Sequence, residues 1–183
     1  MNFRDRLAAL RRPVNLAAFA ACALMLGFAY YLQYARGLEP CPLCMFQRVG
    51  ILVVGLLFLV AAVHHPAGWG ARVYAALIVL ATVTGGAISV RHLWIQSLPA
   101  EQVPACGPGL TYLLNYFPLL DAIKAVLQGS GECAKVDKIL GLSIPAWTLM
   151  AFAGLGISGL LVNGFSRLPR RVAAARSAAF GRG

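Results

Sequence analysis

Four long stretches without acidic residues dominate the pattern of polar and apolar positions along the chain. A helix that crosses a hydrocarbon core of about 30 Å needs about 20 mostly apolar residues, and its backbone must satisfy its own hydrogen bonds. The four stretches meet that length, and their only basic residues are Arg48 and Arg91, near the stretch ends. The predicted spans are residues 14–35, 45–63, 73–91 and 142–165. The pattern predicts an all-α membrane protein, a single four-span domain over residues 1–183.

The connectors predict how the four helices are arranged. Those at residues 36–44 and 64–72 are short, which favours antiparallel neighbours in a bundle. The segment at 95–141 is long, and after Pro118 its apolar residues recur at helical spacing. These are Leu119, Leu120, Ile123, Val126 and Leu127. We expect a short amphipathic helix there, lying in the membrane interface or packed on top of the bundle.

The charge distribution predicts the orientation. Basic residues gather at both termini and in the 64–72 connector. Short loops rich in Lys and Arg stay on the cytoplasmic side, so we expect cytoplasmic termini, with residues 36–44 and 95–141 on the opposite side. The net charge is +10, but no basic face interleaves with aromatic residues, so nucleic-acid binding is not expected.

Four of the five cysteines fall in the two outer segments. Cys22 lies inside the first span, where a thiol behaves as a small hydrophobe, and it receives no role. The other four are Cys41, Cys44, Cys106 and Cys133. Disulfides persist outside the cytoplasm of a bacterium. The pattern indicates a thiol–disulfide relay with two cysteine pairs on one side of the bilayer.

The first pair is a C-x-x-C motif where the second helix begins. A helix N-terminus stabilises a thiolate, and Cys44 lies further into the first turn than Cys41. Arg48 follows Cys44 by four residues, so both project from one face. We interpret Arg48 as a cation that stabilises the Cys44 thiolate and an anionic acceptor. The alternative is an arginine that reaches the interface from a helix end.

The second pair, Cys106 and Cys133, is split across the predicted short helix. Cys106 lies in a turn-rich stretch, and Cys133 follows Gly129-Ser130-Gly131-Glu132, which predicts a flexible tether. The alternative is a structural staple across the helix. A zinc ribbon would use a second C-x-x-C, so no metal is expected. His92 ends the third span at the depth of Cys44 and is either a hydrogen-bonded interface residue or part of a pocket for a lipid-soluble redox ligand.

These residues, in this order, resemble the DsbB family of disulfide bond formation proteins. The resemblance covers the chain from the first span to the fourth. It is carried by Pro40-Cys41-Pro42-Leu43-Cys44, Arg48, Arg91-His92, Cys106, Cys133 and Gly141-Leu142-Ser143-Ile144-Pro145-Ala146-Trp147.

The resemblance implies a bacterial inner-membrane protein with periplasmic redox loops. A reduced DsbA-like thioredoxin-fold protein would attack the Cys106–Cys133 disulfide at Cys106. The resulting dithiol would exchange with Cys41–Cys44, and electrons would leave Cys44 for a bound quinone held by Arg48 and His92. The quinone would be drawn from the membrane pool, with ubiquinone favoured over menaquinone.

Two other functions fit the residues. One is a membrane anchor whose outer disulfides are purely structural. The other is a relay like the vitamin K epoxide reductase family, in which the C-x-x-C lies nearer the end of the chain.

Overall fold

The computed structural model describes residues 3–66, 68–103, 112 and 115–165, and its architecture is helical. Among these residues, four helices are long and apolar enough to cross a membrane, which confirms the predicted four-helix class. The elements are α1 (Phe3–Arg36), α2 (Pro42–His64), α3 (Trp69–Gln96), α4 (Leu119–Gln128), β1 (Lys138–Ile139), β2 (Leu142–Ser143) and α5 (Ile144–Gly159). Single 3-10 turns occupy Ala100–Gln102 and Gly131–Ala134, and a π-helical turn at Leu160–Gly164 extends α5.

The long helices pack in chain order around a shared apolar core. α1 packs against α2, α2 against α3, and α3 against α5, while the final π-helical turn closes back onto α1. The chain reverses after α1 at Gly37 (φ +65°) and after α2 at His65, which caps the helix in the left-handed conformation. The core residues are Ala18, Cys22, Ile51, Val54, Phe58, Ile78, Phe152 and Leu155. Cys22 is one of these packed apolar side chains. It faces Gly55 in the middle of α2, and not the start of α2 that carries Cys41 and Cys44.

Glycine allows α3 and α5 to approach closely. A Cβ added at Gly85 would lie 2.4 Å from Cζ of Phe152, well inside any real contact. Phe152 is 1 % exposed, so its ring fills the place that a side chain at position 85 would need. The absence of a side chain there sets the spacing of the two helices.

Buried polar groups join the other end of the bundle. Asn15 on α1 and Asn163 in the π-helical turn bond through both amides, at 3.1 and 3.0 Å. Arg11 is buried and donates to the carbonyl oxygen of Pro66. Neither asparagine is exposed. The paired amides satisfy each other, as buried amides in an apolar setting must, and they fix α5 against α1.

The predicted short helix exists as α4, and it packs on top of the bundle. Its buried residues are Ala122 and Val126, while Leu119 and Leu120 are 65 % and 71 % exposed. Of the five apolar positions predicted to share one face, Val126 is buried. The face that packs on the bundle is narrower than predicted and also includes Ala122. The packing supports the placement on top of the bundle, while the placement in the membrane interface stays a prediction.

A minimal hairpin leads into α5, which starts two residues later than the predicted fourth span. Strands β1 and β2 pair antiparallel, with Ile139 opposite Leu142. Leu140 and Gly141 between them have φ of +53° and +84°, as a two-residue type I′ turn requires. Trp147 donates to the carbonyl oxygen of Ile139 at 3.0 Å. This bond holds the hairpin over the outer end of the bundle.

Candidate thiol–disulfide site

The first cysteine pair lies at the N-terminus of α2, as its sequence position predicted. Cys41 is the N-cap residue, and its sulfur accepts the backbone N–H of Cys44 at 3.4 Å. Pro42 occupies the first turn, where its missing N–H costs nothing. The two sulfurs lie 3.2 Å apart. The local geometry of a helix start therefore brings the pair within reach of disulfide formation.

Cys133 lies beside this pair, because the outer segment folds back onto the helix ends. It is fully buried in the 3-10 turn Gly131–Ala134. Its sulfur, the Cys41 sulfur and a ring nitrogen of His92 all lie within 4.8 Å of one another. The expected flexible tether before Cys133 stays a prediction, although Ser130 and Cys133 are both buried. Cys133 itself packs in an apolar cluster with Cys41, Leu43, Ile95, Ala122 and Val126.

The outer end of α3 holds the backbone of this segment. His92 Nε2 lies 3.1 Å from the carbonyl oxygen of Cys133, and Gln96 donates to that of Lys135 at 3.1 Å. Arg91 donates to the carbonyls of Leu127 and Gln128, both at 3.1 Å. These last two carbonyls end α4, where they lack helical partners and a cation is favourable. Sequence reasoning gave Arg91 little weight; its position after a span was the available signal.

The sulfurs of Cys41 and Cys133 and a ring nitrogen of His92 are close enough together to be metal ligands. However, a carbonyl oxygen only accepts, so the bond to Cys133 requires a proton on His92 Nε2. That nitrogen then has no lone pair for a metal ion. The arrangement fits thiol exchange better than metal binding.

The environment of Cys133 favours its neutral form. The hydrogen bond with Cys41 and burial both raise the pKa of the Cys133 thiol far above its usual value. A thiolate formed there is therefore high in free energy and is a poor resting species. A Cys133 thiolate lowers its free energy when it attacks a neighbouring sulfur and forms a disulfide.

Cys44 and Arg48 line a single apolar cavity of about 630 Å³ between α1, α2, α5 and the hairpin. The guanidinium of Arg48 donates to the carbonyl oxygen of Ala29 at 3.1 Å and to Gln33, and lies 5.2 Å from the Tyr30 ring centroid. The predicted shared face of Cys44 and Arg48 thus opens onto one space. Most of the wall is aliphatic or aromatic, so the cavity suits a flat apolar molecule with a few polar atoms.

His92 does not line this cavity. It lines a second pocket of about 110 Å³ with Cys41, Cys44 and Gln96. Its Nδ1 lies 3.3 Å from Nε2 of Gln47, whose Oε1 accepts the Thr148 hydroxyl at 2.9 Å. Gln47 and Thr148 do line the large cavity. Sequence reasoning missed both, although a glutamine inside an apolar span was a signal. Cys106 lies outside the described residues.

Comparison with known proteins gives one consistent family. The sequence profile of the family described as "Disulfide bond formation protein DsbB" matches residues 11–162. The chain is 53 % identical to "Disulfide bond formation protein B" of Nitrosococcus oceani, over 81 % of this chain and 89 % of the relative. The protein of that name from Methylococcus capsulatus is 54 % identical, over 82 % and 92 %. That of Hahella chejuensis is 50 % identical, over 87 % and 96 %. The chain belongs to the DsbB family of membrane disulfide bond formation proteins.

Proposed function

We propose that the protein oxidises a periplasmic DsbA-like dithiol protein and passes the electrons to quinone in the bacterial inner membrane. The observation that carries this proposal is the placement of Cys44. Its sulfur lies 3.2 Å from that of Cys41, and Cys44 lines the apolar cavity that Arg48 also lines. One residue thus connects the buried cysteine cluster to a space of the right chemistry for an apolar electron acceptor.

The route begins at the outer pair. A thiolate of the reduced partner attacks Cys106 of a Cys106–Cys133 disulfide, and Cys133 leaves with the bonding electrons. Because a Cys133 thiolate is unfavourable in its buried site, it attacks the adjacent Cys41 sulfur. A Cys41–Cys133 bond forms, the Cys41–Cys44 bond breaks, and Cys44 leaves as a thiolate.

The second half of the cycle restores both pairs. The partner's second thiolate attacks the mixed disulfide at the partner's own sulfur, so the partner departs oxidised and Cys106 is released. Cys106 then attacks Cys133, which frees Cys41. Two electrons leave for the acceptor as Cys41 and Cys44 rejoin, and two protons accompany them.

Quinone fits the residues of the large cavity. A benzoquinone or naphthoquinone ring is flat and apolar, with two carbonyl oxygens that accept hydrogen bonds, and it supplies a two-electron, two-proton acceptor. Arg48 would hold one carbonyl oxygen, and the aliphatic wall from α1 and α5 would pack against the ring. His92 would act through Cys41 and not at the ring, since it faces the smaller pocket. We propose ubiquinone ahead of menaquinone.

The proposed orientation follows the charges. Arg11, Arg12 and Arg72 lie at the end of the bundle opposite the cysteine cluster, and the sequence after residue 165 is also rich in arginine. Both termini and residues 64–72 are then cytoplasmic. Residues 36–44 and 95–141 face the periplasm, where the partner would meet Cys106.

The test uses the full chain in detergent with a reduced thioredoxin-fold partner, and with ubiquinone or menaquinone in separate arms. Partner oxidation should require quinone, and quinone absorbance should fall with matching stoichiometry. Cys44→Ser should abolish turnover, while Cys22→Ala, which removes a packed cysteine, should keep it. Turnover in Cys44→Ser, or oxidation at the same rate without quinone, would refute the relay. Inert outer disulfides would favour the membrane anchor.

A further inference from the structure

A chain of hydrogen bonds crosses the bundle directly beneath the cysteine cluster. It runs from the Cys133 carbonyl to His92 Nε2 (3.1 Å), from His92 Nδ1 to Gln47 Nε2 (3.3 Å), and from Gln47 Oε1 to Thr148 Oγ1 (2.9 Å). Gln47 and His92 are each 2 % exposed. Bulk water therefore does not supply their partners, and each polar atom depends on its protein neighbour.

The Cys133 carbonyl sets the direction of the bonds along this chain. The Cys133 carbonyl only accepts, so His92 Nε2 carries a proton. In neutral imidazole the other nitrogen, Nδ1, then offers only a lone pair. Gln47 must present its NH₂ to Nδ1, which leaves its Oε1 facing the hydroxyl of Thr148, a donor. No buried side-chain N or O atom among the described residues lacks a partner.

Thr148 meets the Gln47 amide on the far side: its hydroxyl donates to Oε1 in this orientation, and its other acceptor is the carbonyl oxygen of Pro145 at 3.0 Å. Its Oγ1 lies 3.3 Å from the hydroxyl of Ser89, which itself lies 3.0 Å from the Gly85 carbonyl oxygen. Ser89 can therefore bond to either oxygen while Thr148 donates to Gln47. Helices α2, α3 and α5 contribute Gln47, His92 and Thr148 in turn, so the packing of the bundle brings these hydrogen-bonding groups together.

We propose that Gln47 is a positioning residue that holds His92 in the tautomer whose Nε2–H faces both the Cys133 carbonyl and the Cys41 sulfur. His92 Nε2 lies 3.8 Å from that sulfur, within range of a hydrogen bond to sulfur. The opposite tautomer would turn a lone pair toward the carbonyl oxygen and toward any charge on Cys41. Gln47 excludes it by donating to Nδ1.

The consequence for the redox cycle rests on the proposed function. When the Cys106 thiolate attacks Cys133, the Cys41–Cys133 bond breaks, the Cys106–Cys133 bond forms, and Cys41 takes the electron pair. The Nε2–H of His92 stabilises the negative charge on Cys41 as it forms. Hydrogen bonds to charged groups are stronger than neutral ones, so the tautomer matters most at this step.

The test reads the tautomer directly by ¹⁵N NMR of the full, reduced chain labelled at histidine and held in nanodiscs. The chain has three histidines, and His92 is assigned with His92→Asn. Gln47→Met keeps the side-chain length but removes both polar atoms. It should turn the single Nε2–H signal of His92 into a mixture of tautomers. Gln47→Glu offers only acceptors, so it should protonate both ring nitrogens.

Two further variants control the measurement. Gln96→Met removes an equally long amide from α3 that bonds to Lys135 and not to His92, and it should leave the His92 signal unchanged. Thr148→Val keeps Gln47 but removes the donor that orients its amide, and it should give a partial shift. If Gln47→Met fails to fold, Thr148→Val alone tests whether the Gln47 amide sets the tautomer of His92.

The outcomes separate this inference from the proposed function. An unchanged Nε2–H tautomer in Gln47→Met, or in Thr148→Val where the first does not fold, overturns the proposal. A mixed tautomer with quinone-dependent turnover about tenfold slower than wild type supports it. A mixed tautomer with full turnover also overturns the positioning role. If the wild type itself shows no quinone-dependent turnover, the proposed function fails while the tautomer assignment stands on the spectrum.

Discussion

His92 Nε2 lies 3.1 Å from the carbonyl oxygen of Cys133, so helix α3 holds the outer segment by its backbone. A backbone contact sets the position of Cys133 whether its sulfur is a thiol or part of a disulfide. The Cys41 sulfur lies 3.8 Å from the same nitrogen. The histidine therefore aligns two cysteines that are distant in sequence for exchange with each other.

The first prediction concerns which cysteines can bond. In Cys44→Ser/Cys106→Ser, only Cys41 and Cys133 of the four outer cysteines remain, and their sulfurs are close. In Cys41→Ser/Cys106→Ser, Cys44 remains, and it is not part of that cluster. Since disulfides need short, defined separations, mild oxidation should form the bond roughly tenfold faster in the first variant. Mass spectrometry of non-reduced peptides measures it.

Both variants carry two serine substitutions and keep Cys22, so any side reaction of the Cys22 thiol affects both equally. Equal rates would mean that the position of Cys133 beside Cys41 does not direct exchange. Faster bonding of Cys44 with Cys133 would reverse the proposed order of the two inner cysteines.

Much of this arrangement follows from local sequence. The helix start at Cys41-Pro42 and the shared face of Cys44 and Arg48 depend only on residues a few positions apart. Helical periodicity determines which nearby residues share a face. In the structure α2 begins at Pro42, and Cys44 and Arg48 line the same cavity. The four spans follow equally directly, because a hydrocarbon core dictates their length.

The position of Cys133 could not be predicted in the same way. Glycines at 129 and 131 predicted flexibility, yet Gly129 adopts φ +83° to turn the chain back over Ile95. Whether a glycine marks a hinge or a fixed turn depends on tertiary contacts. The role of Gln47 was missed and that of Arg91 was given little weight for the same reason, since their partners lie on other elements far along the chain.

The second prediction tests that fixed turn. A Cβ at Gly129 would lie 2.3 Å from Cδ1 of Ile95, whereas one at Gly141, with nearly the same φ of +84°, would meet nothing within 4 Å. Both alanine variants pay about 1–2 kcal/mol for the left-handed backbone. Only Gly129→Ala should also shift the segment that buries Cys133. Alkylation of Cys133 in reduced protein should speed up in Gly129→Ala and not in Gly141→Ala; equal rates in both would show that backbone strain alone acts.

The third prediction concerns the contact between α3 and α5. Gly85→Ala places a methyl group 2.4 Å from the Phe152 ring, and overpacking of this kind costs about 1–3 kcal/mol. The Tm in detergent should fall. Gly154→Ala on α5 is the matched control, because a Cβ there meets nothing within 4 Å and alanine favours a helix. Adding Phe152→Leu to Gly85→Ala should recover part of the loss; no recovery would locate the strain elsewhere.

The fourth prediction is a pH dependence of the reduced protein. The hydrogen bond with Cys41 and burial raise the pKa of the Cys133 thiol in the folded state. Below the ordinary cysteine pKa of about 8.5, the thiol is neutral in both states and its contribution to stability is complete. Above that pH the unfolded chain loses the proton and the folded chain keeps it. The free energy of unfolding should then fall as pH rises, by at most about 1.4 kcal/mol per pH unit.

The measurement is the Tm of fully reduced protein in detergent between about pH 7 and pH 10, compared with that of Cys133→Ala. Every other ionisable group is common to the two proteins, so the difference in slope isolates Cys133. Wild type should lose Tm more steeply above about pH 8.5, the ordinary cysteine value. Parallel curves for reduced wild type and Cys133→Ala would contradict the buried, neutral thiol, and with it the reason that a Cys133 thiolate attacks the Cys41 sulfur.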